Sequence, residues 1–152
     1  MSNPPPGKTV YFAYGSNMCR NQMARRCQGA ESQGLALLSQ HRFIINSRGY
    51  ASVIPHPASR VHGVIWHLTD EQIQTLDHYE DVAHNLYRKK TIRVISDGGT
   101  HSFPAMTYVS THTEQGQPHP PYINSILEAA RDFGFPADYL KELESWQPAT
   151  PS

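Results

Sequence analysis

Residues 9–14 (TVYFAY) are apolar, β-branched or aromatic almost without a break, the pattern of a strand covered on both faces. The run ends in Gly15-Ser16-Asn17, a turn cluster, and the pattern beyond it predicts a helix over 18–27 with Ser16 or Asn17 as N-cap. Segments 35–38, 43–46 and 51–54 read as short strands separated by turn residues. Segment 61–68 (VHGVIWHL) is a stronger strand, in which Gly63 marks a bulge or a close backbone approach. Thr69, with Gln72 three positions on, has the form of a capping box and opens a helix that runs to about Tyr79 or Glu80. Segments 91–96 and 102–109 predict a hairpin around Asp97-Gly98-Gly99, with Pro104 making its second strand an edge candidate. The 118–121 segment (PHPP) breaks the chain, and Ile123, Ile126, Leu127 and Ala130 then share one helix face. Phe133-Gly134-Phe135-Pro136 ends that helix and starts another, with Pro136 at its first position and Tyr139, Leu140, Leu143 and Trp146 turned to the core. Seven or so short strands and three or four helices, not strictly alternating, predict an α+β fold.

A chain of 152 residues has the length of one domain. The expected organisation is a mobile N-terminal tail over 1–8, a single domain over 9–147 and a C-terminal tail over 148–152. Basic and acidic residues balance at 13 each and form no basic stripe, which argues against a nucleic-acid partner. No apolar run approaches the roughly 20 residues of a membrane-spanning helix, and MSNPPPGK lacks the apolar stretch of a secretion signal. Cys19 and Cys27, eight apart on a helix, would be separated by about 12 Å of rise, too far for a disulfide. Two free thiols predict a reducing compartment and a cytoplasmic location.

Three groups of residues are candidates for chemistry. The Gly15-Ser16-Asn17 turn leaves backbone N–H groups that suit an anion or carboxylate at a helix N-terminus; the same residues also suit a plain cap. It is not a P-loop, because the GxxxxGK[ST] spacing is absent. Glu80 is the second candidate. At 100° per residue, Leu76 falls about 60° and Glu80 about 20° from Ile73, so the carboxylate sits inside the apolar stripe. If the helix reaches it, burial and the negative end of the helix dipole raise its pKa and make it a general base and acid. If the helix stops at Leu76 or Asp77, Glu80 is a solvated loop residue. The nine histidines show no metal-ligand spacing, with no H-E-x-x-H and no C-x-x-C, so neither a metal nor another cofactor is expected. No G-x-S-x-G nucleophile elbow is present.

Several of these segments together resemble one family. Tyr11-Phe12-Ala13-Tyr14-Gly15-Ser16-Asn17-Met18 is similar to the signature loop of the γ-glutamylcyclotransferase (AIG2-like) family, and Val61-His62-Gly63-Val64-Ile65-Trp66 to its G-V-[IVL]-[WY] strand. Leu76-Asp77-His78-Tyr79-Glu80-Asp81-Val82, with Tyr87 after it, resembles the L-D-x-x-E-G-V…Y segment, and Thr107-Tyr108-Val109 a later strand. The tail from Pro121-Tyr122 to Tyr139 also fits. The resemblance implies a small closed mixed β-barrel with flanking helices and a site at one end. It implies Glu80 as the catalytic acid/base, buried rather than solvated. It also implies Tyr11, Phe12, Ala13, Tyr14, Gly15, Ser16, Asn17, Tyr87 and Tyr108 as substrate-binding residues. The activity implied is conversion of a γ-glutamyl amide to 5-oxoproline and a free amine, by a monomer or homodimer acting on a small molecule. The substrate range of such relatives extends to γ-glutamyl-ε-lysine, glutathione and γ-glutamylated aminoglycosides; a catalytically silent member binding an acidic metabolite or a protein is the alternative. Asp81 departs from the family's usual Gly and sets a second negative charge beside Glu80.

Overall fold

The computed structural model describes residues 4–96, 98, 99 and 101–148. Parts of both expected tails (1–3 and 149–152) and Asp97 of the expected hairpin turn lie outside the described residues. Five strands close into a barrel: β1 (Lys8–Ala13), β2 (Ser32–Ile45), β3 (Ala51–Thr69), β4 (Tyr87–Ser96) and β5 (Ser102–Ser110). The order around the barrel is β1-β3-β2-β4-β5. Neighbours are antiparallel except at the closure, where β1 runs parallel to β5 through Tyr11 and Met106. Helices α1 (Arg20–Arg26), α2 (Asp70–Tyr79), α3 (Pro120–Asp132) and α4 (Ala137–Glu144) flank it. The closed mixed barrel is the architecture that the resemblance implied.

The strands are fewer and longer than the pattern predicted. Segments 35–38 and 43–46 fuse into β2, while 51–54 and 61–68 fuse into β3. The turn-like residues between them are absorbed by irregular pairing instead of ending the strands. The register jumps between Ser39↔Arg60 and His41↔Pro55, and Gln40 takes a left-handed φ of 59°. A bulge of this kind bends a strand without terminating it. Pro104 is tolerated in β5 beyond the β1 contact at Met106, where it pairs with Arg93 of β4. Gly63 does mark a close approach. A Cβ there would lie 2.5 Å from the Phe12 ring and 2.7 Å from the Ala13 carbonyl oxygen.

Two helix starts also differ. Residues Ser16–Met18 form a 3₁₀ turn, so α1 begins only at Arg20, with Cys19 as N-cap and no side-chain cap from Ser16 or Asn17. Pro136 is the N-cap of α4 and Ala137 its first residue. The Thr69/Gln72 capping box forms in both directions and opens α2. The core is a single cluster running from the barrel into α3 and α4. Phe12, Phe43, Ile65, Leu68, Leu76, Ile123 and Leu127 are fully enclosed in it. Each such side chain stabilises the fold by about 1.5–3 kcal/mol relative to exposure.

Candidate active site

One end of the barrel opens into a cavity of about 460 Å³. The C-terminal end of β1 supplies its first wall. Tyr14 leads into Gly15, where a Cβ would meet Ala51 Cβ at 3.1 Å and lie 3.8 Å from the Tyr122 hydroxyl. The chain then tightens, with the Met18 and Cys19 N–H groups bonding to the Gly15 and Ser16 carbonyls at 3.0 and 3.1 Å. That turn buries the Asn17 side chain, which is only 3% exposed.

The second wall is the end of α2. Its regular residues stop at Tyr79, but Glu80 keeps helical dihedrals (φ −83°, ψ 0°) and its N–H bonds to the Leu76 carbonyl at 2.8 Å. Asp81 then takes a left-handed φ of 54°. The helical track therefore extends through Glu80 and no further, which decides between the two readings left open by periodicity. The carboxyl lies in the cavity wall. Its Oε1 accepts from Asn17 Nδ2 at 3.1 Å. The same Nδ2 donates to the Tyr11 hydroxyl at 3.0 Å. On the other side of the amide, Asn17 Oδ1 accepts from Gln22 Nε2 and Arg26 Nη1, both at 3.0 Å. The Arg26 guanidinium rests over the Tyr79 ring, 4.2 Å from its centroid.

Burial pushes the Glu80 carboxyl up from 4.5 to about 7, against the opposing pull of Arg26 and the Asn17 hydrogen bond. The hydroxyls of Tyr11, Tyr14, Tyr87 and Tyr122 are likewise pushed well above their ordinary range, first by burial and then by neighbouring groups that include Glu80. Burial also raises Tyr108, whose hydroxyl donates to Asp77 Oδ1 at 2.6 Å. Asp77 in turn pairs with Lys89 at 2.8 Å. The Tyr87 hydroxyl donates to the Ala51 carbonyl at 2.6 Å, and the Tyr122 hydroxyl accepts from the Ala51 N–H at 3.0 Å. The cavity is thus walled by neutral phenols around one carboxyl near neutrality. Such a carboxyl can take a proton and return it at ordinary pH. Asp81 stands at the rim with its side chain 41% exposed and engages His84 Nδ1. Among the described residues, no three His, Cys, Asp or Glu side chains converge as metal ligands would.

Of the residues singled out in the sequence, Tyr11, Tyr14, Gly15, Ser16, Asn17, Glu80, Tyr87 and Tyr108 line this one cavity. Phe12 and Ala13 do not. Phe12 is enclosed in the core with its ring over Gly63, and Ala13 is buried at 1% exposure. Sequence reasoning missed Gln22, Arg26, Asn46, Arg48, Tyr50, Tyr79 and Tyr122, which also line it. Arg26 closes α1, nine positions after Asn17, and only the 3₁₀ turn over Ser16–Met18 that carries Asn17 ahead of the helix brings the two within hydrogen-bond reach. Asn46 folds the 46–50 turn onto itself, its Oδ1 accepting from the Arg48 and Tyr50 N–H groups at 3.0 Å. The run Asn46-Ser47-Arg48-Gly49, an Asn that can bond its own backbone followed by Ser and Gly, was the available signal for that turn.

A family model for the AIG2-like family matches residues 60–143, more than half of the chain. The chain belongs to the AIG2-like family. The human protein named gamma-glutamylcyclotransferase is 26% identical over 97% of this chain and 84% of its own length. Its mouse counterpart of the same name is 30% identical over 91% of this chain and 79% of its own. A solved structure titled gamma-glutamyl cyclotransferase superposes with a TM-score of 0.86 at 25% identity, covering 95% of this chain and 91% of that one. This AIG2-like chain therefore shares its barrel, and nearly its whole length, with proteins of that name.

Proposed function

We infer that this protein is a γ-glutamylcyclotransferase, converting a small γ-glutamyl amide to 5-oxoproline and the free amine. The observation that carries the reading is the Glu80 carboxyl, set in the cavity wall by the last turn of α2, held by Asn17 and raised to about 7. The likeness to the human and mouse gamma-glutamylcyclotransferases supports the reaction class.

The substrate supplies its own nucleophile. The α-amine attacks the γ-carbonyl carbon, a C–N bond forms in a five-membered lactam, and the original amide C–N bond breaks. Glu80 takes the proton that the α-ammonium loses and passes one to the departing nitrogen, so protons balance over the cycle and no external reactant is consumed. The walls hold the chain of the γ-glutamyl group in the folded pose, a proximity effect of up to about 7–11 kcal/mol. Backbone N–H groups of the Gly15–Asn17 turn face the α-carboxylate or the developing oxyanion. The substrate class is γ-glutamyl amino acids or related small amine conjugates.

The test is 5-oxoproline release from a panel of γ-glutamyl-alanine, γ-glutamyl-ε-lysine, glutathione and a γ-glutamylated aminoglycoside, with Glu80→Gln alongside. Product from the wild type and a loss of about 10²–10⁴-fold in the folded variant is expected. Near-wild-type turnover by Glu80→Gln would refute the role. No product from any substrate would point to a silent member that only binds.

A further inference from the structure

We propose that Arg26 is a positioning residue that sets the polarity of the hydrogen-bond chain Arg26–Asn17–Glu80, so that Glu80 Oε1 only accepts and the transferable proton rides on Oε2. The proposal rests on the acid/base reading of Glu80 given above.

The argument is a donor–acceptor count. A primary amide offers one oxygen with two lone pairs and two N–H donors. At Asn17 all four positions are taken: Oδ1 faces Arg26 and Gln22, and Nδ2 faces Tyr11 and Glu80. Three of those four neighbours can reverse. Gln22 is itself an amide, and its other contact is the Ser16 hydroxyl at 3.0 Å, which both donates and accepts. The Tyr11 hydroxyl also works both ways. A carboxyl near neutrality accepts when ionised and donates from one oxygen when protonated. Arg26 alone is a donor in every state, because a guanidinium has no acceptor and stays charged. It therefore compels Oδ1 to face it. A flipped Asn17 would set an NH₂ group against the guanidinium and an oxygen against Glu80.

With Nδ2 held towards Glu80, Oε1 receives an N–H in both protonation states. A proton on Oε1 would clash with it, so protonated Glu80 carries its hydrogen on Oε2. Only one carboxyl oxygen is then available to the substrate's amine and leaving nitrogen. The guanidinium is kept in place by the Tyr79 ring beneath it, the residue immediately before Glu80. Arg26 on α1, Arg48 in the 46–50 turn and Asp81 just after α2 are the charged groups that line the cavity with Glu80, and the buried phenols that act on it are Tyr11 and Tyr14 near the end of β1, Tyr87 on β4, Tyr108 on β5 and Tyr122 on α3. The phenols are all raised by burial and stay neutral through the range in which Glu80 titrates.

The experiment compares wild type, Arg26→Met and Arg26→Lys by two readouts. One is the titration of the Glu80 side-chain carbon by ¹³C NMR on the whole protein. The other is kcat and KM for 5-oxoproline release from γ-glutamyl-alanine. In Arg26→Met the Glu80 titration moves to higher pH, and kcat falls by about 10- to 100-fold while KM moves little. Arg26→Lys, still a donor only, restores most of both. An unmoved titration, an unchanged kcat, or a Lys variant as impaired as the Met variant would each overturn the proposal. Should Arg26→Met not fold, the near-isosteric Asn17→Leu replaces it; it removes the amide that donates to Glu80 without adding a charge, the Glu80 titration again moves to higher pH, and an unmoved titration there overturns the proposal equally. A shifted titration in a protein that makes no 5-oxoproline would support the hydrogen-bond polarity and defeat the functional reading on which its catalytic meaning rests.

Discussion

Glu80 couples the protonation of one residue to both rate and stability. Its carboxyl is raised to about 7 in the folded protein from an ordinary 4.5, first by burial. As general base it must start ionised, so kcat/KM is expected to rise with pH through a midpoint near 7, measured as 5-oxoproline release across a pH series. Glu80→Gln should show no such limb in any residual rate. The effect on stability has the opposite sign. Between 4.5 and about 7 the folded state binds more protons than the unfolded state. This contribution to stability is fully present below 4.5 and lost as pH rises through 7. Denaturant titrations of wild type and Glu80→Gln should therefore diverge with rising pH, the variant becoming the more stable above pH 7. Curves that stay parallel would mean that burial does not hold the carboxyl up. The residue types at the site were legible: an apolar stripe containing one carboxylate drew attention to Glu80. Its hydrogen-bond partners were not, because Asn17 lies 63 positions away and nothing local records their approach.

At the scale of elements, legibility depended on how local the controlling interaction was. The capping box joins residues three apart, so the start of α2 could be read directly. The end of α2 could not, since a last residue with helical dihedrals but no onward helix leaves the same pattern as a loop. Segments 35–38 and 43–46 were expected as separate strands because Ser39, Gln40 and His41 look like a turn. The partner strand β3 overrides that local preference by carrying a matching irregularity across from it. Gly63 was read as a bulge or a close approach, and the Phe12 ring explains why: two elements meet there with no room for a methyl group. Gly63→Ala should accordingly destabilise the protein by about 1–3 kcal/mol through overpacking. A denaturant midpoint equal to wild type would show that Phe12 can move aside at little cost.

The whole molecule is a barrel whose seams differ in extent. β2 and β3 pair along most of their length, whereas β2 meets β4 at Ala36↔Ser96 and Leu37↔Ile95, and β1 meets β5 at Tyr11↔Met106. Local opening should start where pairing is thin. Hydrogen exchange is expected to be faster for the amides at the β2–β4 contact than for those in the regular β2–β3 pairing from Arg42 to Ile45; equal protection would mean that the barrel opens only as a unit. Composition and periodicity reached the α+β class, and motif resemblance reached the closed barrel, but neither could assemble the wall of the cavity. That wall draws on β1, α1, the 46–50 turn, the end of α2, β4, β5 and α3. One product of this convergence has a practical use. Seven of the eight tyrosines line the cavity, Tyr139 aside, while Trp66 and Trp146 do not. Occupancy is therefore written into the tyrosine part of the near-ultraviolet spectrum with the indole bands as an internal standard. An inert variant such as Glu80→Gln becomes an unlabelled optical sensor for whatever the cavity takes.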